Sequence, residues 1–207
     1  MPKETFFNLT EEKRKRVFNA AVSEFSSKRF SEASINSIVK SALIPRGSFY
    51  QYFDDKEDIY LYMLNEIGKE KLSVMGHTMQ LCKDSDFFDT FVNMFEAALK
   101  WSKTKPDYHR IGMLMLTDDS DFISKLRDLS EQGFKMFKDL IVRDQNKGLI
   151  KKDIDPAIVV DLIYSANLYL SKSLQNDLSK DRSTQEAASY AGNCKTWHRQ
   201  SLSCISN

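Results

Sequence analysis

Arg46, Gly47, Ser48, Tyr50, Gln51 and Tyr52 fall within seven consecutive residues, and Lys56 follows four further on. Arginine and glutamine are side chains that read base edges in a duplex groove, arginine towards guanine and glutamine towards adenine. The hydroxyls of Ser48, Tyr50 and Tyr52 suit phosphate oxygens. Gly47 allows a backbone to approach closely. Lys56 adds a cation where a helix N-terminus would itself attract phosphate. The same spacing is also met by a small trihelical core with ordinary surface residues, so these types alone do not decide between the two.

The surrounding pattern supplies elements that could position such a set. Thr10 can cap a first helix, with Glu11 and Glu12 favouring its positive end. Phe18, Ala21, Val22 and Phe25 follow at i, i+3, i+4 and i+7, one apolar stripe. Ser34 can cap a second, short helix in which Ile35, Ile38, Val39 and Ala42 repeat that spacing. Leu43-Ile44-Pro45 should end it, because the residue before a proline resists helical angles. A third helix starts near Pro45 or Arg46 and places Phe49 and Phe53 on one face. Asp55 and Asp58 imitate a capping box for a long fourth helix. Met63, Ile67 and Met75 lie along its inner side.

Further on, Ser85 is expected to cap a helix carrying Phe88, Phe91, Val92, Phe95 and Leu99. A shorter helix spans about Asp107 to Leu116. Asp118-Asp119-Ser120 opens a long one that closes at Lys147-Gly148, with glycine in the left-handed position. Asp155-Pro156 starts another, bearing Val159, Leu162, Ile163, Ala166 and Leu170. Ser183-Thr184-Gln185-Glu186 reads as a capping box for a last helix that does not continue well. Residues 192–207 show no apolar period and read as an irregular tail.

Composition points the same way. Hydrophobic residues make up 42% and charged residues 29% of 207, with only 7 Gly and 4 Pro, too few for a turn-rich sandwich or barrel. No run approaches a membrane span. The N-terminus Met1-Pro2-Lys3-Glu4-Thr5 opens no apolar signal stretch, which predicts a cytoplasmic protein. Cys82, Cys194 and Cys204 fit no disulfide framework or zinc motif, and His77, His109 and His198 are scattered, so no metal and no cofactor is expected. No nucleophile–base set, phosphate loop or paired-carboxylate site appears at specific spacing, so no catalytic residue is expected. Net charge is +1, but residues 1–56 hold ten bases against seven acids, a net +3 that leaves −2 for the rest. A basic front is weakly consistent with a nucleic-acid face.

The stretch Ile44-Pro45-Arg46-Gly47-Ser48-Phe49-Tyr50-Gln51-Tyr52-Phe53-Asp54-Asp55-Lys56 closely resembles the signature of the tetracycline-repressor family of bacterial regulators. The hydroxylated Ser48, the hydrophobic Phe49, Tyr50, then Phe53 and Lys56 all stand in register. The resemblance extends over about residues 10–64. It implies an all-α protein with an N-terminal three-helix helix-turn-helix DNA-binding domain (1–56), joined to a larger helical ligand-binding and dimerisation domain (57–191). It implies that Arg46, Ser48 and Gln51 face bases or the adjacent backbone. Tyr50, Tyr52 and Lys56 would clamp phosphates, and Ser34 and Asn36 would touch backbone or a base edge. It further implies a homodimer, a palindromic double-stranded DNA operator, repression, and release by a small-molecule effector through movement of the fourth helix. The short final helix shifts the expected dimer contact onto residues 155–174. Phe95, Trp101, Tyr108, His109, Met113, Phe137, Tyr164 and Asn167 are candidates for the lining of a mainly hydrophobic ligand pocket. The competing function is a helical protein-binding adaptor without DNA binding, which would not need Arg46, Tyr50 and Lys56 in their places.

Overall fold

Helix caps and apolar stripes at helical spacing fold this chain into helices throughout. The structure is a computed structural model and describes residues 1–81, 84–131 and 135–177. Among these residues there is no strand. In order, the helices are α1 (Glu4–Phe7), α2 (Glu11–Ser27), α3 (Ile35–Ser41), α4 (Arg46–Tyr52), α5 (Lys56–Leu81), α6 (Phe87–Thr104), α7 (Pro106–Met115), α8 (Asp121–Glu131), α9 (Lys135–Asn146) and α10 (Pro156–Asp177). A short 3-10 turn, Phe30–Glu32, joins α2 to α3. The expected long helix from Ser120 to Lys147 corresponds to α8 and α9, with 132–134 outside the described residues. The expected last helix, the tail 192–207 and all three cysteines also lie outside them. No helix among the described residues is long and apolar enough to cross a membrane.

Backbone contacts divide the chain into two units, Met1–His77 with Ala97–Ser130, and Thr78–Glu96 with Glu131–Asn207. The first is built around Phe6, Val17, Phe25, Ile38, Phe49, Phe53, Ile59 and Met63, all buried, with Ile111 and Ile123 from α7 and α8 in the same core. The expected rows on α2, α4 and α5 are therefore the inward faces. In the second unit Phe87, Ile141 and Val160 form the buried centre, with Phe137, Leu140, Val159 and Ile163 packed on it.

Several local expectations change. Four-residue α1 was not legible, yet it seats Phe6 at 0% exposure against Phe53 and Tyr62, with ring centroids 4.9 and 5.0 Å away. Asp86, not Ser85, caps α6, its carboxylate accepting from the Asp89 N–H at 2.8 Å. Leu162 is 66% exposed and so belongs to the outer face of α10, because Val160 rather than Leu162 turns inward. Gly148, at φ 75°, does close α9, as its position between helix and apolar residue predicts. The Leu149 N–H reaches the Asp144 carbonyl (2.9 Å) and the Gly148 N–H the Gln145 carbonyl (3.1 Å).

Candidate nucleic-acid interface

The site consists of α3, α4 and the turn between them. Ser34 caps α3, its hydroxyl accepting from the Asn36 N–H at 3.2 Å. At the other end α3 closes with the same six-to-one pattern as α9. The Ile44 N–H reaches the Val39 carbonyl (3.1 Å) and the Leu43 N–H the Lys40 carbonyl (3.3 Å). The residue that must turn left-handed here is Leu43, at φ 55° and 77% exposed, where glycine is the unstrained choice. Pro45 then stands just ahead of α4, whose first turn it enters with a φ of −61°.

On α4, Phe49 and Phe53 are fully buried and fix the helix to the core. Arg46, Gly47, Tyr50 and Gln51 are left exposed, and Ser48 and Tyr52 are half-buried. An added Cβ at Gly47 would meet no atom within 4 Å, so nothing inside the chain requires a glycine there. Tyr52 leans on Phe6, with centroids 6.0 Å apart, which gives it a packing role besides any contact of its hydroxyl. Asn36 is exposed at the start of α3.

Three sets of contacts that sequence reasoning did not find hold this surface in place. The first comes from the N-terminus. A helix seven residues long leaves its last carbonyls without partners of their own. Here the Lys3 N–H donates to the Tyr52 carbonyl (2.8 Å), the Lys3 ammonium to that of Tyr50 (2.9 Å), and the Thr5 hydroxyl to that of Gln51. The Lys3 charge also suits the negative end of α4. The second is Glu24, a nearly buried carboxylate on α2 that accepts from the Ser34 N–H (2.9 Å) and from Lys28 (3.0 Å), tying α2 to the start of α3.

The third centres on Lys56. Its ammonium donates to the Ala33 carbonyl at 3.0 Å and approaches that of Ser31 at 3.5 Å, above the Phe30 ring at 4.6 Å. Burial pushes its pKa down, against the opposing charges of Asp118 and Glu24. In this conformation Lys56 engages the link between α2 and α3 rather than standing open as a phosphate clamp. Asp118, in the link from α7 to α8, completes the junction. Its carboxylate accepts from the N–H groups of Ser31 (2.8 Å) and Ser120 (2.9 Å). Burial pushes this carboxyl up, but those backbone donors outweigh it and hold it below the usual range. Arg127 fixes the same link from behind, donating to the carbonyls of Met115 (2.9 Å) and Asp118 (2.7 Å).

A helix-turn-helix with an exposed, hydroxyl-rich second helix is also what comparison with known proteins returns. Residues 17–63 match the sequence profile of the bacterial regulatory proteins, tetR family. The chain belongs to the tetR family. It is 42% identical over 55 residues to an uncharacterized HTH-type transcriptional regulator of Bacillus subtilis, YdgC, a match that covers 27% of this chain and 28% of that protein. It is 22% identical over 154 residues to the HTH-type transcriptional repressor DhaR of a Mycobacterium species, covering 74% of this chain and 77% of DhaR. A tetR-family transcriptional regulator from Chloroflexus aurantiacus has a similar structure, with TM-score 0.67 and 26% identity over 99% of this chain and 94% of that one. The tetR-family signature residues Ser48, Phe49, Tyr50, Phe53 and Lys56 all lie inside the matched segment.

The candidate pocket residues separate between the two units. Trp101, Tyr108, His109 and Met113 lie in the first, where the Trp101 and Tyr108 rings are 5.9 Å apart and Met113 is buried. Phe95, Phe137, Tyr164 and Asn167 lie in the second. There Phe95 and Phe137 each pack a ring 6.1 Å from Phe91. Asn167 is part of α10, and its side chain lies outside the described residues.

Proposed function

We propose that this tetR-family chain is a ligand-responsive transcriptional repressor. It binds a palindromic double-stranded operator as a homodimer and is released by a small, mainly hydrophobic molecule. The observation that carries this reading is α4. Its apolar side is fully buried, its end is held by α1, and Arg46, Gly47, Tyr50 and Gln51 remain exposed. Arg46 and Gln51 read bases from this helix. Ser48, Tyr50 and Tyr52 bind phosphate, with Ser34 and Asn36 at the start of α3 beside them. Lys56 acts mainly by holding the link between α2 and α3. The backbone N–H groups at the start of α5 remain to meet a phosphate.

The dimer is supported by α10. Ile158, Leu162 and Tyr169, spaced by four and seven residues on one face, are 58%, 66% and 71% exposed. An apolar stripe left in water favours a self-complementary contact with a second copy. Two heads then match half-sites one helical turn apart, about 34–36 Å, or a multiple of it. A ligand that prefers a state with another spacing lowers operator affinity by that difference in binding free energy.

The test is Arg46→Ala on duplexes selected from a random pool by the wild-type protein. Losing a bidentate base contact costs about 1–3 kcal/mol and relaxes the preference at one base pair per half-site. Thermal stability is expected to stay unchanged because Arg46 is exposed. Unaltered base preference would remove Arg46, and with it this use of α4.

A further inference from the structure

The inward row of α5 contains a residue that does not belong in a core. Ile59, Met63 and Ile67 recur every four residues and are buried, and Met75 is buried to 8%. Lys71 stands four residues after Ile67 and four before Met75. It is solvent-exposed, although its neighbours along the row on both sides are not. A charged residue within an apolar row, accessible between two closed positions, marks a water-accessible gap on the inner side of the helix. Two aromatic side chains and an imidazole adjoin that gap. The Lys71 ammonium lies over the Trp101 ring, 5.8 Å from its centroid, and Trp101 packs on Tyr108 at 5.9 Å. His109 is close enough that burial first, and then the charge of Lys71, push its pKa down, so the imidazole is held neutral.

The charges around the gap do not balance. Lys105, above the Tyr108 ring at 5.2 Å, is paired with Glu70 at 3.0 Å. Lys71 has no carboxylate within ion-pair distance among the described residues, and burial pushes its pKa down. A partly desolvated ammonium without a counter-charge is costly unless something else supplies one. Stacked aromatics and the buried rows on either side favour an apolar body.

We infer that Lys71, with Trp101 and His109, forms the head-group site for a monocarboxylate with an apolar body. One uncompensated positive charge matches one negative charge. The Lys71 ammonium donates to the carboxylate, the neutral His109 can add a second donor, and the rings of Trp101 and Tyr108 cover the adjoining chain. This names the effector class for the regulator proposed above and rests on that reading only in what binding does to the operator complex.

The experiment is calorimetric titration of the full-length protein, without DNA, with dodecanoate, 1-dodecanol and dodecylammonium. Dodecanoate is expected to bind at least about tenfold more tightly than the alcohol, as a charge-assisted contact requires, and the ammonium compound not at all. Lys71→Met, which suits the apolar row, should raise the melting temperature and abolish the preference for the acid over the alcohol. Lys71→Arg should restore it. Equal binding of acid and alcohol, no binding of the acid, or an acid preference that survives in Lys71→Met would each overturn the site. If dodecanoate binds as expected but leaves DNA complexes intact, the site stands and the release step of the regulator reading fails.

Discussion

Replacing Asp118 by asparagine tests the junction beside the helix-turn-helix. The wild-type carboxylate is 1% exposed and accepts two backbone N–H groups, from Ser31 at 2.8 Å and Ser120 at 2.9 Å. Asparagine keeps the shape but has a single acceptor oxygen, so one buried donor is left facing an amide NH2. Leaving a buried donor unsatisfied costs about 1–3 kcal/mol. In a chain of this size that corresponds to roughly 2–12 °C in melting temperature. The cost depends on pH in a defined direction. The folded carboxyl titrates below its ordinary value of 3.8, so its contribution is fully present above that value and is lost as pH falls through the lower folded value. The gap in stability between wild type and Asp118→Asn, measured by guanidinium unfolding, is therefore expected to be widest near neutrality and to narrow below about pH 4. A gap that is the same at both ends, or no gap at all, would refute the assignment of charge and hydrogen bonds at this junction.

Two further substitutions follow from the ends of the DNA-facing helices. Leu43→Gly removes a left-handed leucine, relieving about 1–2 kcal/mol against a chain-entropy cost of about 0.5–1 kcal/mol. A rise in melting temperature is expected, and a fall would show that Leu43 is not strained. Lys3→Ala with Thr5→Ala removes two donors from the end of α4 while sparing Phe6. Each loss costs about 0.5–1.5 kcal/mol. Fluorescence anisotropy with a selected duplex should show weaker binding while circular dichroism keeps the helical signal. Unaltered affinity would make α1 irrelevant to reading.

What the sequence revealed and what it hid divide along a physical line. The roles of Thr10, Ser34 and Gly148 were legible because a cap acts on its own few residues. The inward rows Ile59–Met63–Ile67 and Phe49–Phe53 were legible because a periodic stripe announces a buried face. Helix α1 was hidden because four residues have no period, and Phe6 is placed by Phe53 and Tyr62 from distant helices. The engagement of Lys56 was hidden for the same reason. Its position favours a phosphate, but the carbonyls it meets belong to the link between α2 and α3, whose path depends on Glu24 and Asp118. Leu162 shows the limit of spacing where apolar residues are frequent on a helix, since either face of α10 could have turned inward. Lys71 lay in plain view on the row beside Tyr60 and Leu64. Only the burial of Ile67 and Met75 shows that its other row is a core row.

The most direct measurement of the central claim is binding of the full-length protein to the DNA upstream of its own gene at two salt concentrations, with the solution mass determined alongside. The account predicts a dimer that prefers this duplex over random DNA. Its binding constant should fall with salt with a slope of about −0.9 per phosphate contacted. A folded protein that shows no preference for any duplex, or that binds as a monomer, would contradict it.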